Sequence, residues 1–203
     1  MEFPQNPLLF DPEGMDRSEV LALYEKLLLP RMIEEKMLSQ LRQGKISKWF
    51  SGIGQEAISV GVGAAMPSED WILPMHRNLG VFTARGIPLD RLFAQFKGKD
   101  HGFTKGRDRS FHFGSYEHKI CGMISHLGPQ LGIADGIALA NKLDESGKST
   151  FVFTGDGGAS EGDFHEAVNV AAVWQLPVII GIENNSWELS TPSKEQFRFE
   201  HFT

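Results

Sequence analysis

The sequence predicts an α/β fold in which helices flank a parallel sheet. Residues 149–154 are β-branched and aromatic, which is typical of a buried strand. From Asp163 onward apolar residues recur at helical spacing until residues 176–177, and residues 178–182 are again β-branched and apolar. A crossover of this length joins parallel strands, so both strands should end at the same edge of the sheet.

The chain before this unit is predicted to be mainly helical. Residues 1–15 contain three prolines and are predicted to form an extended arm, followed by one domain over residues 16–203. Asp16 or Ser18 can cap a long helix that Pro30 should kink or divide. Further elements are predicted in this order: helix to Arg42, helix 54–66, strand 71–75, helices 79–85 and 88–97, loop 98–120, helix 129–145.

Two helices carry apolar residues that the spacing assigns to the core. In the helix at 129–145 these residues are Leu131, Ile133, Ala134, Ile137, Ala138 and Leu139. In the helix after Asp163 they are Phe164, Ala167, Val168, Ala171, Ala172 and Val173. Both helices are therefore expected to cover the sheet.

Composition limits the classes of function. The 203 residues are 41% hydrophobic and 23% charged, which is ordinary for a globular protein. A net charge of −6 without a basic stripe argues against a nucleic-acid partner. The single cysteine, Cys121, excludes an internal disulfide framework. No apolar stretch has the length of a membrane span and the N-terminus resembles no targeting signal, so we expect a cytoplasmic protein without a membrane partner.

The ends of the strand–helix–strand unit carry the most informative residues. Gly-Asp-Gly at 155–157 follows the first strand, and Asn-Asn at 184–185 follows the second, with 26 residues between them. Asp156 and Asn185 should face one crevice with oxygen ligands of the kind that Mg²⁺ prefers. Gly157 and Gly158 leave room for backbone N–H groups to approach phosphate beside a helix N-terminus. The pattern predicts a magnesium ion that holds a phosphorylated cofactor.

This pattern resembles the thiamine diphosphate motif, in which Gly-Asp-Gly precedes Asn-Asn by roughly thirty residues. Residues 161–177 are similar to the corresponding helix of α subunits of 2-oxo acid dehydrogenase E1 components, of the pyruvate and branched-chain types. The resemblance extends from about Leu23 to Pro192. It implies a thiamine-diphosphate-binding fold, thiamine diphosphate and Mg²⁺ as cofactors, and oxidative decarboxylation of a 2-oxo acid with acyl transfer to lipoamide.

The resemblance also implies roles for residues outside the motif. His76 and Arg77 fall where the family has Tyr-Arg contacting the cofactor diphosphate. Ser125 and Leu127 match positions that contact the aminopyrimidine ring. Trp187 stands where a tyrosine supplies its main-chain carbonyl to the metal, a ligand atom that a change of side chain preserves.

A loop histidine is the candidate catalytic residue. His112 matches the histidine of the family's KGxGGSMH stretch, and it either binds the 2-oxo acid or is a solvated loop residue. Arg107 and Arg109 in the same loop either meet a substrate carboxylate or are solvated. Asp163 and Glu166, one helical turn apart, are interpreted either as a capping pair or as part of a proton relay between two active sites.

The resemblance implies partners as well. In this family the glutamate that activates the aminopyrimidine comes from a β subunit or a fused β half, and the acyl acceptor is the lipoyl domain of an acyltransferase E2. Family α subunits continue well beyond the position of Thr203. We therefore expect a C-terminally truncated fold, or the front piece of a longer α or fused α–β chain, with little activity alone.

Alternative interpretations stay open at this point. Residues 52–57 match a G-x-G-x-x-A dinucleotide fingerprint, although close helix packing explains these glycines better. The function could instead be that of another thiamine enzyme, such as an acetoin dehydrogenase or transketolase homologue. A third hypothesis is a non-catalytic remnant that assembles with a β-type subunit. The sequence does not distinguish pyruvate from branched-chain substrates.

Overall fold

A computed structural model describes residues 14–108 and 110–198, and the predicted α/β fold is confirmed. The predicted N-terminal arm, except for residues 14 and 15, lies outside the described residues, as does Arg109.

Three parallel strands form the sheet at the centre of the fold. They are β1 (Trp71–Leu73), β2 (Thr150–Gly155) and β3 (Val178–Glu183), in the order β1-β2-β3. Leu73 pairs with Val152, and Gly155 pairs with Glu183, so all three strands run toward one edge. Because β2 is the middle strand, its Val152 and Phe153 are fully buried. The predicted strands and their parallel pairing are confirmed.

Seven α-helices, a one-turn 3₁₀ helix (Gly158–Ser160) and a short hairpin complete the described part of the chain. The helices are α1 (Arg17–Arg42), α2 (Glu56–Ala65), α3 (Leu79–Ala84), α4 (Leu89–Phe96), α5 (Pro129–Leu143), α6 (Gly162–Trp174) and α7 (Ser193–Gln196). The hairpin pairs β4 (Trp187–Glu188) with β5 (Thr191–Pro192). None of the helices within the described ranges is both long and apolar enough to cross a lipid bilayer.

Helix α1 begins at the predicted cap and continues through its proline. Asp16 and Glu19 form a capping box, in which each side chain accepts a hydrogen bond from the other residue's backbone N–H. The predicted division of the helix at Pro30 is wrong, because α1 runs unbroken to Arg42. A proline removes one backbone donor, and here Pro30 lies on the buried face with Ile33, where packing against α2 and α3 offsets that loss.

The core has an aromatic part and an aliphatic part. Aromatic rings from α3, α4 and the loops around them contact one another at centroid distances of 4.9–5.5 Å; they are Trp49, Phe82, Phe96, Phe111 and Phe113. The aliphatic part lies where the sheet, α5 and α6 meet, and consists of Leu73, Leu131, Ala134, Val152 and Ala167.

The outer helices bury less of their apolar surface than the sequence predicts. Ile133 of α5 is 42% exposed, so its predicted core position is wrong. In α6 the predicted core position of Ala167 is confirmed and Phe164 is half-buried against the core. Val168 and Val173 of α6 are exposed at 40% and 68%. The reason is geometric: α6 packs on α5 along one narrow stripe, and its other sides face away from the sheet.

A buried carboxylate holds the segment before α2. Glu34 of α1 is 1% exposed and accepts hydrogen bonds from Trp49 Nε1 (2.6 Å) and the backbone N–H of Gly52 (2.9 Å). A Cβ at Gly52 would overlap the carbonyl oxygen of Arg77, so this glycine permits close backbone packing. No strand precedes Gly52 within the described residues. The structure thus favours packing over the dinucleotide interpretation.

We expect Glu34→Leu to lower the free energy of unfolding by about 3 kcal/mol, because it leaves the buried N–H groups of Trp49 and Gly52 without an acceptor. Urea denaturation measures the change. The control is Glu35→Leu at the neighbouring exposed position, which should change the stability by less than about 0.5 kcal/mol. Equal effects of the two substitutions would contradict this role of Glu34.

Candidate functional site

The candidate site lies where the three parallel strands end. Arg77 follows β1 after a short turn, Asp156 follows β2, and Asn185 follows β3. Because the strands pair in parallel, these three residues belong to one edge of the sheet. In open α/β sheets this is the edge that binds ligands.

Asp156 is the most enclosed of these residues. It is 2% exposed, and its backbone N–H donates to the carbonyl oxygen of Glu183 at 3.2 Å. Its carboxylate accepts a hydrogen bond from the Ser193 hydroxyl. Ser193 is held in turn by its own N–H, which donates to the carbonyl oxygen of Ser186 at 3.0 Å. The β4–β5 hairpin and the start of α7 therefore cover Asp156.

The two asparagines shape the turn after β3. Asn184 Oδ1 accepts from the backbone N–H of Ser186 at 2.9 Å, and Asn185 Oδ1 accepts from that of Trp187 at 3.0 Å. Each oxygen keeps a second lone pair for another partner. The Asn185 side chain is thereby fixed in the loop that carries Trp187.

The donor set at this edge fits a hard cation. Asp156 offers a carboxylate, Asn185 an amide oxygen and Trp187 a main-chain carbonyl, and such oxygens suit Mg²⁺. Within residues 14–108 and 110–198, no group of three or more His, Cys, Asp or Glu side chains is arranged to hold a metal. A cation here would thus depend on neutral oxygens and a phosphate as well as on Asp156.

The glycines after Asp156 are tightly packed. A Cβ at Gly157 would overlap the Glu188 side chain, and a Cβ at Gly158 would lie 2.5 Å from Thr154 Oγ1. The same Cβ would lie 3.7 Å from the Leu127 side chain. Leu127, which was predicted to contact the cofactor, therefore lies beside this turn. Glu188 over Gly157 is a feature that the sequence analysis missed. The approach of these glycines to phosphate stays a prediction.

The two candidate histidines line one cavity. His76 and His112 both face a cavity of about 540 Å³ beside the sheet edge. His112 Nε2 lies 2.9 Å from Ser125 Oγ, so the structure brings two separately predicted residues into hydrogen-bond contact. The cavity wall also contains three lysines and one acid, namely Lys45, Lys48, Lys97 and Asp108. The excess of positive charge favours an anionic ligand.

His76 is neutral over most of the accessible pH range. Burial lowers its pKa to about 4, and the nearby positive charges of Arg77, His112 and Lys48 add to the effect. Its ring also packs against Phe50 at a centroid distance of 4.8 Å. A neutral imidazole can donate one hydrogen bond and accept another, so His76 is suited to hydrogen bonding rather than to charge pairing.

A buried polar pair joins two of the three strand ends. Asn78 Nδ2 donates to Glu183 Oε1 at 2.6 Å, and the two residues are 0% and 6% exposed. Burial raises the pKa of Glu183, and the Asn78 hydrogen bond and the charge of Arg77 partly oppose that rise. This pair was not predicted from the sequence. The available signal was position alone, since Asn78 is adjacent to Arg77 and Glu183 lies two residues before Asn185.

Other predicted residues lie apart from this edge. Asp163 and Glu166 are exposed on α6 and line a separate cleft between α5 and α6. The interpretation of Asp163 as a cap is wrong, because the N-cap of α6 is Glu161 and no side chain caps the helix. Arg107 is exposed in its loop.

Comparison with known proteins identifies the family. A family model described as "Dehydrogenase E1 component" matches residues 24–203. The 2-oxoisovalerate dehydrogenase subunit alpha, mitochondrial, of Dictyostelium discoideum is 38% identical over 188 residues, which are 93% of this chain and 42% of that protein.

Two bacterial relatives give a similar result. The 2-oxoisovalerate dehydrogenase subunit alpha of Bacillus subtilis is 36% identical, over 94% of this chain and 58% of the relative. The pyruvate dehydrogenase E1 component subunit alpha of Zymomonas mobilis is 36% identical, over 87% of this chain and 50% of the relative. The chain thus spans about half the length of the curated relatives it matches.

We expect the His76 ring to titrate with a pKa of about 4 instead of 6.5, as measured by NMR of the imidazole Cε1–H. Because burial is the main cause, Phe50→Ala should open the site to water and raise the pKa toward 6.5. A pKa near 6.5 in the unsubstituted protein would contradict the burial seen here.

Proposed function

Since the chain belongs to the dehydrogenase E1 component family, we propose that it forms the α-type half of a thiamine-diphosphate-dependent 2-oxo acid dehydrogenase E1 component. The observation that carries this proposal is the convergence of Arg77, Asp156 and Asn185 at one edge of a parallel sheet. A basic group, a buried carboxylate and an amide oxygen are what a diphosphate and its Mg²⁺ require.

Each residue of this edge has a distinct role in the proposal. Arg77 forms no ion pair within the described residues, so its guanidinium is available to grip a phosphate. Asp156 and Asn185 would hold Mg²⁺ with their side-chain oxygens, and Trp187 would add its main-chain carbonyl. His76, neutral at physiological pH, hydrogen-bonds to a phosphate oxygen.

The cavity beside the edge binds the substrate. Thiamine diphosphate supplies a nucleophilic carbon and an electron sink for loss of CO₂ from a 2-oxo acid. Lysines on the cavity wall, such as Lys48, attract the carboxylate of the 2-oxo acid into the cavity. His112, held by Ser125, stabilises negative charge near the reacting carbonyl. Ser125 and Leu127 flank the aminopyrimidine ring.

A partner subunit completes the proposed site. Apolar side chains on the outer surface of α5, α6 and β3 are 40–74% exposed; they are Leu143, Val168, Val173, Trp174 and Ile179. Exposed apolar surface of this extent is typical of an interface. We assign it to a β-type E1 subunit or a fused β half, which supplies the remaining catalytic groups. The proposed acyl acceptor is the lipoyl domain of an E2 acyltransferase.

The names of the relatives bear on two further proposals, the substrate class and the cellular compartment. Relatives named for 2-oxoisovalerate are 38% and 36% identical and one named for pyruvate is 36% identical, so the proposed substrate class covers both. Some relatives are named mitochondrial, whereas the bacterial ones are not. We propose a cytoplasmic enzyme.

Calorimetric titration of thiamine diphosphate and Mg²⁺ into the chain, alone and with a β-type subunit, tests the function. We expect binding with the partner, and Asp156→Asn should weaken it about tenfold or more because it removes the charged ligand without changing volume. The control is Asp144→Asn, at an exposed position after α5, which should bind normally. Equal binding by Asp156→Asn, or none by the folded wild type, would refute the proposal.

We expect Trp174→Glu to reduce co-purification with a β-type subunit about tenfold or more, since it places a charge in an apolar interface. The control is Leu21→Glu, which is similarly exposed on α1, a helix that packs on α2 and α3. Circular dichroism checks that both variants fold. Undiminished assembly of Trp174→Glu would exclude this face as the interface.

A further inference from the structure

One buried side-chain contact connects the segment of Arg77 with the segment of Asn185. The Asn78 amide donates to the Glu183 carboxylate at 2.6 Å, although the two residues are 105 positions apart. Both are almost completely shielded from water, at 0% and 6% exposure. A hydrogen bond between an amide and a carboxylate in such a place is strong and directional.

Asn78 uses its side chain to fix the turn after β1. Its Oδ1 accepts from the backbone N–H of Met75 at 2.6 Å, which closes the turn on which Arg77 stands. Its Nδ2 also donates to Ser59 Oγ of α2 at 3.1 Å. Both amide protons of Asn78 and its carbonyl oxygen are thus engaged. The backbone on either side of Arg77 has little freedom.

Glu183 fixes the other side of the contact. It is the last residue of β3 and immediately precedes Asn184 and Asn185. Its main-chain carbonyl accepts from the N–H of Asp156 at 3.2 Å. A single residue therefore touches the end of β2 through its backbone and the Arg77 turn through its side chain.

Stability alone does not explain this pair. A buried carboxylate loses its hydration, and Glu183 forms no close ion pair within the described residues, so only the Asn78 hydrogen bond and the nearby charge of Arg77 oppose that loss. Two well-packed apolar side chains of similar volume would be at least as stable in such a place. What the polar pair adds is one defined geometry between two segments.

We propose that Asn78 and Glu183 are positioning residues, which hold the guanidinium of Arg77 at a set distance from the oxygens of Asp156 and Asn185. This inference rests on the proposed function, because that distance would matter if Arg77, Asp156 and Asn185 together hold a diphosphate and its cation. The two phosphates of such a ligand are joined covalently, so a small displacement of Arg77 relative to Asp156 and Asn185 should lower the binding affinity.

The primary test is calorimetric titration of thiamine diphosphate with Mg²⁺ into the chain assembled with a β-type subunit. Glu183→Met keeps the volume but removes the acceptor, and should weaken binding about tenfold. Glu183→Gln keeps an oxygen that can accept from Asn78, and should restore binding to within about threefold of wild type.

A control separates positioning from damage to the sheet. Ser149 Oγ donates to Asp70 Oδ2 at 2.6 Å at the opposite end of the same strands. Ser149→Ala should lower the thermal stability and leave cofactor affinity unchanged. Weakened affinity in Ser149→Ala equal to that in Glu183→Met would overturn the positioning role.

A double-substitution cycle tests the route through Arg77. In an Arg77→Ala background, Glu183→Met should weaken binding by less than about twofold, because the group that it positions is gone. Additive losses of binding free energy would show that Glu183 does not act through Arg77.

Hydrogen exchange without ligand gives an independent measurement. Glu183→Met should speed exchange of the Met75 amide, because its acceptor Asn78 loses the hydrogen bond to Glu183. Unchanged exchange would also overturn the route through Arg77.

The outcomes separate the two proposals. If the folded wild-type assembly binds no thiamine diphosphate, the proposed function fails and the cofactor part of this inference fails with it. If the wild type binds and Glu183→Met binds equally well, the proposed function stands and the positioning role of Asn78 and Glu183 is overturned.

Discussion

The parallel pairing of β2 between β1 and β3 is the constraint on which the rest of this structure depends. Because the strands run the same way and β2 pairs with both neighbours, their carboxyl ends meet at one edge. The segments that follow the strands carry Arg77, Asp156 and Asn185, which are far apart in the sequence. An antiparallel or shifted arrangement would separate them. The β4–β5 hairpin then folds over the same edge. Ser193, which follows it, donates a hydrogen bond from its hydroxyl to the Asp156 carboxylate.

The elements were predictable where local patterns and packing agree. The β-branched runs of β2 and β3 and the cap at Asp16 fix their positions within a residue or two. The errors arose where packing outweighs a local rule. Pro30 does not divide α1, because the buried face of the helix continues through it. Val168 and Val173 are apolar but exposed, because spacing along a helix does not reveal how wide a contact its neighbours offer.

The candidate site was predictable in its ligands but not in its internal connections. Asp156 and Asn185 could be placed at one edge because a crossover makes their two strands parallel. Arg77 was assigned to the cofactor only through the family resemblance. The contact of His112 with Ser125, and that of Asn78 with Glu183, join segments that a single sequence does not pair. The same holds for Glu188 above Gly157. Such pairings depend on loop conformation, for which neither periodicity nor propensity gives a signal.

The proposed cofactor site is tested most directly by an experimental structure of the chain with a β-type subunit, thiamine diphosphate and Mg²⁺. We expect the diphosphate at the carboxyl edge of the sheet, with Arg77 on a phosphate and the oxygens of Asp156, Asn185 and Trp187 on the cation. The Asn78–Glu183 hydrogen bond should persist at its present length of 2.6 Å. A cofactor bound elsewhere, or a cation that contacts neither Asp156 nor Asn185, would contradict the central claim.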